Sequence, residues 1–164
     1  MAFIGGRGVI SKYTAWKPTT VRKQEANLLP WDNQVTVYCR NYFTPPLREH
    51  HGMKLVRLPT LRTKHLETVV HTLLSSVHAT YGRHDIVHYH CLGPALISFL
   101  PRLTGKKTAV TVQGLDWQRK KWGRIAAAIL RVGERAAVEL PDATMVVSHS
   151  LQDHYGARHG SRTF

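Results

Sequence analysis

The amino-acid sequence predicts an α/β domain, a doubly wound, mostly parallel sheet of about six strands in a Rossmann-like arrangement. Three observations carry this. Short runs rich in Val, Ile, Thr and Tyr recur along the chain, several without a polar alternate face, as in strands buried on both sides. Longer amphipathic segments with helical periodicity lie between them. Only a handful of loop residues separates each pair, so the order reads as successive βαβ units.

The elements follow in order. Ala2–Ile4 is the first strand, and Gly5, Gly6, Arg7 and Gly8 come just after it. A crossover helix is required next, and its candidate is Pro18–Leu29. Thr19, Thr20 and Val21 are weak helix formers and Pro30 closes the segment, so a short or irregular helix is expected. Val35–Cys39 and Lys54–Leu58 are the second and third strands. Leu66, Val69, Val70, Leu73, Leu74 and Val77 recur at three- and four-residue spacing and predict a helix near 64–81. Ile86–His90 is the fourth strand, followed by a shorter helix over 94–103, and Thr108–Val112 is the fifth. Ile125, Ala128, Ile129, Val132, Ala136 and Val138 place a helix near 120–139, which Pro141-Asp142 ends before a sixth strand at Ala143–Ser148. A last short helix covers 149–158.

Size and composition bound the function. With 164 residues the chain is read as a single domain, 1–164. Hydrophobic residues at 43% and charged residues at 20% exclude a disordered tail. No apolar run approaches the ~20 residues of a bilayer span. The N-terminus lacks the basic start and apolar core of a secretory signal, and two cysteines, Cys39 and Cys91, fit a reducing compartment. Lysine and arginine number 23 against 10 aspartates and glutamates, a net charge of +13. This surplus implies nucleic acid, anionic lipid or a phosphorylated substrate as partner, unless it serves solubility or offsets an acidic portion elsewhere.

In open parallel sheets ligands bind beyond the carboxyl ends of the strands, where the strand order reverses. Those ends carry Gly6, Arg7 and Gly8; Cys39 and Arg40; His90, Cys91 and Gly93; Gln113, Gly114 and Asp116; and Ser148 and His149. This polar, small and cationic rim suits a phosphorylated or hydroxyl-rich ligand. Gly6–Ser11 reads G-x-G-x-x-S, a near miss to the dinucleotide fingerprint and equally a tight turn that needs glycine. No acidic residue follows the second strand to hold a ribose, which leaves Arg40 to meet an adenosine 2′-phosphate if the ligand is a dinucleotide. His88 and His90 share a face, with Cys91 beside them, but no third ligand at metal spacing accompanies them, so no metal is expected. For a strand order 3-2-1-4-5-6, Cys39 and Cys91 end strands two ladder spacings apart, ~9–10 Å, beyond the ~7 Å reach of a disulfide. The stretch Gln118-Arg119-Lys120-Lys121-Trp122-Gly123-Arg124 ahead of an apolar helical stripe reads as an anionic-membrane contact or as a solvated helix start. Lys12, Lys17, Arg22 and Lys23 form a second basic cluster. No zinc-finger spacing or RNA-recognition signature accompanies the charge, which argues against nucleic acid.

Six stretches in order, AFIGGRGVISKY (2–13), QVTVYCR (34–40), KLVRLPTLRTK (54–64), DIVHYHCLGP (85–94), KKTAVTVQGLDWQRKKWG (106–123) and GERAAVELPDATMVVS (133–148), resemble the N-terminal domain of family 4 glycosyltransferases of the two-Rossmann-domain, GT-B type. The resemblance implies an acceptor-presenting half. A C-terminal domain, absent from these 164 residues, would grip the nucleotide-sugar donor, with transfer in the cleft between, no cofactor and no essential metal ion. The residues it assigns to substrate are Gly6, Arg7, Gly8, Tyr13, Thr14, Ala15, His90, Gly93, Gly114, Asp116 and Ser148. Two positions depart from the family pattern. Thr14 and Ala15 stand where the first loop commonly has a Gly-Gly pair. Gln113 stands where a histidine is usual, and glutamine exchanges hydrogen bonds with a hydroxyl but takes up no proton near neutral pH.

The expectation is therefore a sugar transferase, acting on a carbohydrate or lipid-linked acceptor once completed by a donor domain, which a second chain would supply in a split enzyme. Alone, the chain is expected to have little or no activity. The location expected is cytoplasmic, with peripheral attachment to the inner face of the membrane left open. The alternative is a non-catalytic module binding an anionic glycolipid or membrane surface.

Overall fold

A computed structural model of the chain describes residues 1–4, 34–63, 66–120, 122–160 and 163–164. Among these, seven strands form one sheet: β1 (Ala2–Ile4), β2 (Thr36–Arg40), β3 (Glu49–His50), β4 (Met53–Leu58), β5 (Ile86–His90), β6 (Lys107–Val112) and β7 (Ala143–Val146). Their order is β3-β4-β2-β1-β5-β6-β7. The six strands expected from the sequence are all there, every pairing among them is parallel, and together they run 3-2-1-4-5-6. The addition is β3, which pairs antiparallel with β4 through a turn at His51-Gly52 and becomes the edge of the sheet. Two residues leave no periodicity to read. β7 stops at Val146, two residues short of the expected end, because Ser148 caps the helix that follows.

Among the described residues, the α-helices α1 (Leu66–Tyr81), α2 (Leu92–Ala95) and α3 (Arg124–Glu139) lie between strands, and α4 (His149–His159) follows β7. The helix expected over 94–103 is instead the single turn of α2, a run of turns and a 3₁₀ turn at Pro101–Thr104. Backbone bonds along this stretch step back three residues (Leu96 to Gly93, Ile97 to Pro94, Ser98 to Ala95), the tighter winding that short proline-bearing segments adopt. The expected Pro18–Leu29 helix lies outside the described residues.

The two faces of the sheet differ. Ile4, Tyr38, Val87, Tyr89, Val110 and Val112 pack with Ala79, Leu92, Ala95, Ala137 and Tyr155 from the helices. Phe3, Val37, Cys39 and Leu55 form a second buried cluster, with His90 stacked on Phe3 and His88 tilted against it.

Helix α1 reverses the orientation its pattern suggests. Its buried residues are His71, Thr72, Ser75, Ser76 and Ala79, whereas Leu66, Val69, Leu73, Leu74 and Val77 are about 40–50% exposed. The cause is in the sheet. Tyr38 and Tyr89 rise from β2 and β5 into the interface, where Tyr89 donates to Ser76 Oγ at 2.9 Å and the Tyr38 hydroxyl pairs with His78 Nδ1 at 2.8 Å. Over these two rings the helix places mostly small side chains, Thr72, Ser75, Ser76 and Ala79, with Ser76 bonded to Tyr89. α3 packs in the same way through Gly133, Glu134, Ala136 and Ala137, with Ile125, Ile129 and Val132 outward. Gly133 is required by close approach: a Cβ there would lie 2.5 Å from the carbonyl oxygen of Leu92.

Candidate functional site

Because the six strands are parallel, their carboxyl ends share one edge, and the order reverses between β1 and β5. That edge is closed at one end and open at the other.

The closed end follows β2. Arg40 is buried, its Nε 2.7 Å from Glu67 Oε1 in the first turn of α1 and its Nη2 3.4 Å from Thr68 Oγ1. The Tyr42 hydroxyl donates to the same carboxylate. A buried guanidinium held this way is not offered to a ligand, so the 2′-phosphate role considered for Arg40 is corrected: its partner is Glu67. Beside it His71 is buried, and burial first, then the Arg40 charge, lowers its pKa to about 4.

The open end follows β5 and β6. His90 closes β5 with its ring buried, stacked on His88 at 4.6 Å between centroids and on Phe3 at 5.8 Å. His88 Nε2 is 2.7 Å from Thr111 Oγ1 on β6. Burial lowers the pKa of His88 to about 4; burial, assisted by His88, lowers that of His90 to about 3, so both rings are neutral near pH 7. Stacked face to face, the rings do not converge their nitrogens on one ion. Among the described residues no group of three or more His, Cys, Asp or Glu side chains is arranged to hold a metal.

Cys91 comes next with φ 72° and ψ 165°, a backbone region that is nearly glycine's alone, while its N–H donates to the Thr111 carbonyl at 3.0 Å. This strained turn carries the Cys91 thiol to 3.9 Å from Gln113 Oε1, on the residue that follows β6. Gln113 is exposed, and the Cβ positions of Gly93 and Gly114 face open space. Both cysteines are thiols, Cys39 buried and Cys91 partly exposed. The rim here is thus a thiol, an amide side chain and two glycine backbones, all accessible.

The flank of this rim is braced. Asp116 opens a 3₁₀ turn (Asp116–Gln118), and its Oδ1 lies 3.1 Å from Arg119 Nε. The next residue, Trp117, donates from Nε1 to Glu134 Oε2 at 2.6 Å, and the Arg131 guanidinium lies over its ring. Glu134, buried in α3, also meets His154 Nε2 at 2.7 Å and His159 Nε2 at 3.1 Å from α4. Burial alone would raise this carboxyl; the hydrogen bonds from His154, His159 and Trp117 hold it below the usual range. Ser148 caps α4, its Oγ accepting from Leu151 N–H at 3.3 Å, and lines a shallow hollow with His149, Gln152 and Phe164 at the β7 side of the sheet.

Of the residues assigned from the sequence, the structure gathers Gly93, Gln113 and Gly114 at the open end, with His90 beneath them. Asp116 sits on the flank and Ser148 near β7. Gly6, Arg7, Gly8, Tyr13, Thr14 and Ala15 lie outside the described residues. The reading from sequence missed the strain at Cys91, which nothing in composition signals. It also missed Glu134, for which a signal existed: a lone carboxylate on the small-residue face of α3 must find buried partners.

Comparison with known proteins adds three findings. No curated protein sequence matches the chain. Among solved structures, a sucrose-phosphate synthase from Thermosynechococcus elongatus shares the fold with a TM-score of 0.61 at 16% identity, over 98% of this chain and 45% of that one. The chain therefore spans less than half the length of that relative. The family model described as "Glycosyl transferase 4-like domain" matches residues 19–163. With a match over most of its length, a parallel sheet in the 3-2-1-4-5-6 order and a GT-B neighbour in fold, the chain belongs to the glycosyl transferase 4-like domain family.

Proposed function

We propose that these residues form the acceptor-side half of a nucleotide-sugar glycosyltransferase, and that transfer requires a second, donor-binding domain. The observation that carries the reading is the asymmetry of the sheet edge: polar groups after β5 and β6 stay accessible beside the point where strand order reverses, while the cation after β2 is buried on Glu67. The family and the sugar-transferring fold neighbour support it.

In this reading Gln113 orients an acceptor hydroxyl by donating and accepting hydrogen bonds. It removes no proton, so the base must come from the donor's departing phosphate or from the other domain. The glycine backbones at 93 and 114 let a sugar ring approach, and the Trp117–Glu134 brace holds the 114–118 turn in register. Negative charge builds on the departing diphosphate, and its cation comes from the first loop, where Arg7 is the candidate, or from the partner domain.

The test is turnover of a panel of nucleotide sugars by the purified chain, alone and joined to a donor-binding domain of the same family. Transfer is expected only from the joined form, with Gln113→Ala lowering it at least tenfold. Transfer by the chain alone at the rate of a complete enzyme, or a joined form indifferent to Gln113, would overturn the proposal.

A further inference from the structure

We infer that the outer surface of the helical layer, from α1 across to α3, docks on an anionic lipid bilayer. The inference does not rest on sugar transfer, although Arg131, one of the outward cations, also lies over the Trp117 ring on the flank of the rim.

The turned-about packing of α1 is the starting point. Its outward side carries Leu66, Val69, Leu73, Leu74, Val77 and Tyr81 and no charged side chain, because Glu67 is drawn aside to Arg40 and Tyr42. The polar inward side was dictated by Tyr38 and Tyr89, but nothing in the interior dictates an apolar exterior. Isolated exposed apolar residues are ordinary; a whole helix face is not. The surface continues. Phe99 and Leu103, 44% and 73% exposed, lie on the turns leading to β6, and the 3₁₀ turn there packs on α1.

On α3 the outward arc divides in two. At 100° per residue, Val132, Ile125 and Ile129 occupy one half, while Arg131, Arg124 and Arg135 occupy the other. Gly133 abuts Leu92 of α2, and Glu134 faces Trp117 and α4, which orients the helix. The apolar half therefore borders α2 and, beyond it, α1, and the arginines form the far margin. Arg135 shares its charge with Glu139 at 2.6 Å. Lys120 and the partly exposed Trp122, with Arg119 paired to Asp116, extend the margin ahead of the helix.

An apolar field with a cationic border is the pattern of a surface that buries side chains at the headgroup boundary while arginines meet lipid phosphates. Charge selects this occupant over a second copy of the chain, since two molecules each carrying +13 repel across an arginine margin. No described helix is long and apolar enough to cross a membrane, so the contact is with the surface.

The test is co-sedimentation of the 164-residue chain with vesicles of equal parts phosphatidylglycerol and phosphatidylcholine, and with pure phosphatidylcholine. Binding to the first, weak binding to the second and loss at high salt are expected. Replacing Arg124 and Arg131 with Gln lowers partitioning about fivefold per arginine. Leu73→Glu with Val77→Glu lowers it at least tenfold, and Leu73→Gln with Val77→Gln, which adds no like-charge pair, lowers it too, while circular dichroism shows both variants folded. Equal binding to neutral vesicles, binding unaffected by either pair, or absent binding with a dimer that the Leu73/Val77 pair dissolves would each overturn the inference.

Discussion

The carboxyl edge of the sheet offers two cationic or polar strand ends that look alike in sequence, Cys39-Arg40 closing β2 and His90-Cys91 at the end of β5, and the fold uses them differently. After β2 the side chain that could meet a ligand is turned inward: Arg40 is enclosed by Glu67 and Thr68 of α1, and Tyr42 completes the cluster. After β5 the imidazole is buried and the next residue is thrown outward on a strained backbone, so Cys91 reaches Gln113 across the gap to β6. One end uses its polar groups to hold α1 to the sheet, and the other leaves them accessible. The two ends should therefore respond differently to substitution, stability at the first and ligand handling at the second.

Acid sharpens this contrast most strongly. His71 sits by the closed end and His88 and His90 under the open one, all with native pKa values of about 3 to 4 against an ordinary value of 6.5. The unfolded chain binds their protons more readily, so stability is fully present above pH 6.5 and falls as the pH drops toward 4, by about 3 kcal/mol for His71 at the limit, with the His88–His90 pair adding a loss in the same direction. Melting temperature against pH should fall steeply across that window. His71→Asn and His90→Asn should each flatten the slope, and a flat wild-type profile would remove the basis for both ends.

Next in size is Glu67→Ala. It leaves Arg40 buried without its counter-charge and should cost about 3 kcal/mol in urea unfolding, with acceptor binding retained in the folded fraction. A substitution that instead weakened acceptor binding at full stability would erase the distinction between the two ends.

At the open end effects on stability are small or reversed. Cys91→Gly removes the penalty of a side chain at φ 72° and should stabilise the domain by about 1 kcal/mol. Gln113→Ala, at an exposed position, should leave stability within about 0.5 kcal/mol while reducing transfer in the two-domain form. Thermal melts of both variants beside the wild type provide the check.

The sheet was legible because its strands are continuous apolar runs, and Ile86–His90 and Thr108–Val112 pair as read. Helix positions were legible from the spacing of Leu66, Val69, Leu73 and Val77, but their direction was not. A period says which residues share a face, not which face the neighbours leave room for, and that was decided by Tyr38 and Tyr89 on other strands. The 92–104 stretch failed because two prolines and a glycine are compatible with either winding. At the site, Gln113 and its neighbouring glycines were found because strand ends follow from strands. The fate of Arg40 was not, since its partner Glu67 is 27 residues away.

The central claim, that the β5–β6 edge faces the acceptor and the β2 edge does not, is tested most directly by nuclear magnetic resonance of the ¹⁵N-labelled chain titrated with neutral hexoses and hexose monophosphates. The account predicts saturable amide shifts over residues 91–93 and 113–116, with 40–44 and 57–60 unmoved. Shifts centred on 40–44, or confined to the hollow around Ser148 and Gln152, would contradict it.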